Sequence, residues 1–288
     1  MHDSLPLFAK TLQMTYTPLI HPCLEYNVNV TLSLIVPLFT GLAFGWIANY
    51  LADVLPLTRR LSRPTCLHCE APFHWQDYLL LRRCRTCGKT RRARAWIVPL
   101  LLTVITVYTW FSPPHKIGYA FGSILILYFT TVFLIDLEHR LILHPTSIAG
   151  ALLGLCAGLL RSGWRDTLIG GLAGFAIMFA VYLFGILFTR WRARRLQIDD
   201  DEEAFGQGDV ILGTILGLAL GWPLIWFGML VAVLLGGAVS ILVMLVRLLS
   251  GRFRETAWMV FIPYGPFMIV SSFLLIYFPA WMKMLVPS

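Results

Sequence analysis

Asp136 and Asp209 are the residues of this chain whose type and setting best suit chemistry. Asp136 closes the apolar run Ile117 to Ile135, and Asp209 ends Gly206-Gln207-Gly208-Asp209 before another apolar run. An acid inside a bilayer costs on the order of 2.5 to 3.5 kcal/mol on insertion scales, and intramembrane carboxylates usually mark catalytic sites or ion paths. Two facing carboxylates suit acid/base hydrolysis. When they lie close, mutual repulsion leaves one protonated and one ionised near neutral pH, so one activates water while the other protonates the substrate carbonyl.

A second constellation is Cys66-Leu67-His68-Cys69 followed, after fourteen residues, by Cys84-Arg85-Thr86-Cys87-Gly88. Two Cys-x-x-Cys knuckles at this spacing predict a tetrahedral four-cysteine zinc site, each short loop supplying two thiolates. Arg82, Arg83 and Arg85 are expected to help hold thiolate charge. A closed four-thiolate shell has no open coordination position, so this metal braces the loop and hydrolyses nothing. Free thiols and a redox pair are the alternatives. His68 and His74 are not needed as ligands, and the isolated Cys23 and Cys156 read as small buried hydrophobes.

The elements that must position these groups are membrane helices. The chain is 58% hydrophobic and 13% charged, with several apolar runs of membrane-spanning length, which excludes an ordinary soluble domain. The fold class is all-α, polytopic, with about eight transmembrane helices and a small four-cysteine loop domain. Spans are expected near Leu32 to Leu51, Ala95 to Phe111, Ile117 to Ile135, Thr146 to Leu160, Thr167 to Phe188, Asp209 to Gly221, Pro223 to Leu249 and Met259 to Met282. The sixth and seventh read as a tight hairpin at Gly221-Trp222-Pro223, because together they exceed one bilayer crossing. The domain reading is a tail over 1–31, a first span over 32–51, the cysteine loop over 52–94 and a seven-helix catalytic domain over 95–288.

Of the 23 Lys and Arg, all but Lys10, Lys116, Arg161, Arg165 and Lys283 fall in Ala52 to Arg94, Leu137 to Pro145, Arg190 to Gly208 and Arg247 to Trp258. Eight spans put those four segments on one side, which the positive-inside rule makes cytoplasmic, with both aspartates and the cysteine loop there. Reduced thiols on that side favour zinc over disulfides. Topology thus accounts for the net charge of +8, and no nucleic-acid partner is expected. The first 30 residues have no basic and apolar pattern of a removable signal peptide. The acidic run Asp199 to Glu203 reads as a solvated loop face. Trp46, Trp96, Trp110, Trp222 and Trp281, near span ends, read as interfacial belts.

In combination these features resemble the bacterial type IV prepilin peptidases over roughly residues 35 to 270. The resemblance rests on a first helix, the paired Cys-x-x-Cys loop, Asp136-Leu137-Glu138-His139 and Gly206-Gln207-Gly208-Asp209. Pro263-Tyr264-Gly265-Pro266 is similar to a Pro-Phe-Gly-Pro element of that family, and Gly45-Trp46-Ile47-Ala48-Asn49 to its Gly/Asn-bearing helix. It implies a multi-pass inner-membrane enzyme that removes the basic leader of prepilins or pseudopilins on the cytoplasmic side. Methylation of the new amino terminus with S-adenosylmethionine then follows. Asp136 and Asp209 become the catalytic dyad, and Gly206 and Gly208 let backbone approach the substrate strand closely.

Three positions depart from the family pattern. Ile211 stands where Lys is common, Pro99 where a Glu ends the entry to the second span, and Leu143-His144 where Pro-Asp often follows the first motif. His139 and His144 read as interfacial anchors, and Glu138, two residues past Asp136, points to another helix face than the dyad. Two other classes compete. A proton-coupled transporter also uses intramembrane Asp, but predicts carboxylates nearer the midplane and repeated halves, neither of which is visible. A non-catalytic pilin-assembly factor is the third, motivated by Ile211 and Pro99.

Overall fold

The computed structural model describes residues 21–66, 69, 71–80, 82–196, 206–249 and 263–278, and among these the architecture is entirely helical apart from one isolated bridge between Thr65 and Pro72. The elements are α1 (His21–Thr58), α2 (Trp75–Leu79), α3 (Arg94–Phe111), α4 (Gly118–His139), α5 (His144–Ser162), α6 (Trp164–Leu196), α7 (Gln207–Leu220), α8 (Leu224–Leu249) and α9 (Gly265–Tyr277). Among the described residues six stretches are long and apolar enough to cross a membrane: Ser33–Thr58, Arg94–Phe111, Gly118–His139, His144–Ser162, Trp164–Trp191 and Leu224–Leu249. The sixth and eighth expected spans are shorter apolar helices, α7 and α9, of 14 and 13 residues. At about 1.5 Å per residue each is shorter than a hydrocarbon core of about 30 Å. The chain does break at Gly221-Trp222-Pro223 rather than run on as one kinked helix, with Gly221 at φ 71° and the Trp222 N–H donating to the Asp166 carbonyl at 2.8 Å.

Close packing follows from small residues, which is how helices associate where lipid gives no hydrophobic drive. On α6 and α7, Gly170 faces Gly217 and Gly174 faces Gly213, so that a Cβ at any of them would strike backbone or the Met178 side chain. Gly154 and Gly158 of α5 meet the carbonyls of Ile215 and Leu218 in the same way. On the other flank α1 and α3 cross where Gly41 meets Thr103 and Gly45 meets the backbone of Pro99. Pro99 is therefore a packing residue against α1. α4 lies centrally between α1 and α9. Its Leu125, Ile126, Phe129, Val132 and Ile135 are buried, whereas α8 exposes most of its length.

Cys156, expected as a buried residue, is exposed on α5. The outward face of a membrane helix is as apolar an environment as a core, so a small hydrophobe is not driven inward. α1 begins at His21, ahead of the expected first span at Leu32. The side chain of Cys23, residues 1–20, the acidic run Asp199 to Glu203, His68 and Trp281 lie outside the described residues.

Candidate active site and metal knuckle

The two ends of the bundle differ in chemistry. At one end the Lys116 ammonium donates to the Arg161 carbonyl at 3.2 Å, beside the turn through Asp166 and Trp222. At the other end are Asp136, Asp209, Arg94 and the cysteine loop. Trp96 stands at this second end, and Trp110 and Trp222 at the first.

Asp136 lies in the last turn of α4, which closes at Arg140 in the left-handed conformation (φ 52°), with the Arg140 N–H on the Asp136 carbonyl at 3.0 Å. The side chain is 4% exposed, and its Oδ2 has no hydrogen-bond partner among the described residues. Asp209 stands in the first turn of α7 and is half-buried. α7 starts at Gln207 after an extended Gly206, and Gly208 packs on the Ile142 side chain. Asp209 lies within electrostatic reach of the Asp136 carboxylate. A third element closes the site: a Cβ on Gly265 would collide with Asp136 Oδ2, and the preceding Tyr264 phenol lies within electrostatic reach of Asp209. Three helix ends therefore converge on a pair of carboxylates, one buried and one reachable. Two neighbouring carboxylates suit acid/base hydrolysis, in which one group is neutral and one ionised.

Glu138 points away from the pair. It accepts from Arg94, the first residue of α3, which also bridges to Asp53 near the end of α1. Asp53 further accepts from Arg91 (2.9 Å) and from the Tyr78 hydroxyl (2.6 Å), and the Arg91 guanidinium lies 3.9 Å over the Tyr78 ring. Burial, together with the Asp53 charge, pushes the Tyr78 phenol up. This network of Asp53, Tyr78, Arg91, Arg94 and Glu138 is absent from the sequence reading. Its only signal was Asp53 at the end of an apolar run ahead of an arginine-rich segment. His144 is exposed and His139 half-buried, and neither forms a hydrogen bond or ion pair with either aspartate.

The four cysteines come together. Their sulfurs all lie within 4.8 Å of one another, with Cys66 to Cys87 and Cys69 to Cys84 both at 3.7 Å. That spacing excludes disulfides, whose sulfurs sit about 2.05 Å apart. It matches the edge of about 3.8 Å that a tetrahedron with metal–sulfur bonds of about 2.3 Å requires, so the donor set fits a four-thiolate metal. Backbone turns hold the thiolates: the Cys66 N–H donates to Ala71, the Cys84 N–H to Lys89, and Gly88 adopts φ 69°. The Cys87 and Thr86 N–H groups hold the Cys84 thiol down to about 6. Arg85, expected to balance thiolate charge, instead pairs with the buried Asp77 at 2.6 Å, joined by Arg82 at 3.8 Å. A carboxylate anchored by α2 is the nearer, fixed partner.

Over part of its length the chain is similar to known proteins. Residues 123–241 match the model of the type IV leader peptidase family. The chain is 25% identical over 227 residues to the prepilin leader peptidase/N-methyltransferase of Legionella pneumophila, covering 76% of this chain and 74% of that protein. It is 27% identical to the Myxococcus xanthus protein of the same name, over 71% of this chain and 61% of that one. For the Burkholderia pseudomallei counterpart the identity is 29%, over 78% and 71%. No solved structure matches.

Proposed function

We propose, on the premise that residues 123–241 belong to the type IV leader peptidase family, that this chain hydrolyses the leader peptide of type IV pilin-like precursors with Asp136 and Asp209 as its acid/base pair. The chain is a multi-pass inner-membrane protein. What supports the assignment of the pair is the convergence of α4, α7 and the start of α9 on two interacting carboxylates. The ionised carboxylate takes a proton from water as the water oxygen bonds to the scissile carbonyl carbon. The neutral carboxyl donates its proton toward the carbonyl oxygen. As the tetrahedral intermediate collapses, the C–N bond breaks and the departing nitrogen takes up a proton, leaving a new carboxyl and a free amine.

Zinc is the ion proposed for Cys66, Cys69, Cys84 and Cys87, as a structural brace. We place the knuckle and both aspartates on the cytoplasmic face, following the basic segments. Gly206 and Gly208 are proposed to border the substrate strand, where a Cβ would narrow the approach. The relatives' names also carry N-methyltransferase. S-adenosylmethionine fits neither the cavity at Asp53 and Arg94, of about 30 Å³, nor the apolar groove between α6 and α8. Methylation is thus a second activity without a site assigned.

Co-expression with candidate prepilins and mass spectrometry of the mature amino terminus reads cutting and methylation together. Asp136→Asn and Asp209→Asn should each lower leader removal by about 10² to 10⁴-fold while the protein still inserts. Normal processing by either variant removes the aspartyl mechanism.

A further inference from the structure

α1 and α3 run antiparallel in a fixed register, because Gly41 meets Thr103 and Gly45 meets Pro99. Tyr50 lies five residues past Gly45 on α1, and Arg94 five residues before Pro99 on α3, so the two stand at one level. α3 has 18 residues, about 27 Å against a hydrocarbon core of about 30 Å, and its first residue, Arg94, therefore marks the edge of that core. Asp53 and Glu138 both pair with this arginine, as charged groups at such an edge should.

The chain passes this edge and then comes back to it. α1 continues eight residues beyond Tyr50, about 12 Å, to Thr58, where Arg59 takes the left-handed conformation (φ 51°) and turns the backbone. By Ser62 the edge is regained, since the Tyr50 hydroxyl donates to the Ser62 carbonyl at 2.7 Å. The cysteine loop returns there a second time, with the Trp75 ring 5.3 Å from that of Tyr50. Three residues on, the Tyr78 hydroxyl donates to Asp53 at 2.6 Å. α2 thus lies along the edge, between the levels of Tyr50 and Asp53, which are about 4.5 Å apart. Its polarity is inverted for an element that faces water. Asp77 is buried and paired with Arg85 and Arg82, whereas Trp75, Leu79 and Leu80 (61%) are exposed, as is Leu61 (71%) next to Ser62.

We infer that α2 and Leu61 form a foot on which the cysteine loop rests in the bilayer, its partner being lipid at the boundary between acyl chains and headgroups. Depth decides the partner: an apolar face held level with Arg94 is met by lipid before any water-borne protein can reach it. Tyr50 and Trp75, aromatic rings with polar tips, suit that boundary. The foot goes beyond the leader-peptidase reading and does not depend on it.

The test uses the full chain in vesicles, with a genetically encoded fluorescent amino acid at Leu80 or, separately, at Leu61. The same residue at the exposed Leu100, six residues or about 9 Å inside Arg94 on α3, is the span reference. Each label replaces an exposed side chain, and a parental melting curve confirms that the labelled protein is folded. Phosphatidylcholine spin-labelled near its headgroup should quench Leu80 and Leu61 about twofold or more over phosphatidylcholine labelled deep in the acyl chain, with the reverse order at Leu100. Aqueous iodide should quench both foot positions about fivefold or more below the free fluorescent amino acid. The foot stands only if both positions behave in this way. Iodide quenching at the level of the free probe, without quenching by lipid, puts the face in water and overturns it. Shielding that grows with the protein-to-lipid ratio gives the face to a second copy of the chain and equally overturns it.

Discussion

Asp136 gains its setting from a residue with no side chain. Gly265 presses its backbone on the carboxylate, and any Cβ there would need the space of Oδ2. Since the collision is with the tip of one side chain, Gly265→Ala should turn that carboxylate rather than unfold α9. We expect kcat to fall at least tenfold, with little change in KM and a nearly parental melting curve, because misplacement by about 1 Å is enough to cost such factors. Kinetics on purified enzyme with a precursor decide it. A variant with full kcat would mean that the Asp136 rotamer is not set from α9.

At the scale of elements, Arg94 fastens three helices and the cysteine loop. Its side chain is 12% exposed and bridges Asp53 (7%) and Glu138 (20%), with Arg91 as a second clamp on Asp53. Removing one partner of a buried pair leaves uncompensated charge, typically at about 3 to 5 kcal/mol. Arg94→Met should therefore lower the unfolding temperature of the detergent-purified protein by several degrees, and Glu138→Gln by less, because Asp53 retains both arginines. Equal melting points would show the bridges to be energetically idle. The cysteine loop makes a separate prediction. Cys66→Ser or Cys87→Ser should lower bound zinc and open residues 61–94 to protease, since structural zinc contributes directly to folding. Thiolates must be deprotonated to bind, so the intact protein should hold metal at neutral pH and release it as acid protonates the sulfurs. Elemental analysis across a pH series checks this, and a protein that never holds zinc contradicts it.

For the whole molecule, the proposed function requires a basic leader to reach the aspartates. The run Asp199-Asp200-Asp201-Glu202-Glu203 lies between α6 and α7, outside the described residues but just ahead of Gly206. An acidic loop there would attract a basic segment through screened electrostatics acting over about 10 Å at 0.1 M salt. Neutralising all five acids should slow cleavage at low ionic strength, with the deficit shrinking as salt rises. Equal rates at low salt would return the run to an ordinary solvated loop.

The amino-acid sequence by itself determined the helical membrane class and the cysteine quartet, and singled out the two aspartates. Each is a local property: apolar length sets a span, Cys-x-x-Cys spacing sets a knuckle, and an acid at a span end stands out against its surroundings. Arg85 was misjudged from the same sequence, because what it touches, Asp77, lies on another element. Only the tertiary structure decided that Glu138 pairs with Arg94, and that Gly265 and Tyr264 close the candidate site from α9. The same holds for the apolar groove between α6 and α8. These are contacts between segments far apart in the chain. Helix packing selects them through the close approach of small residues, and no periodicity within a single segment encodes them.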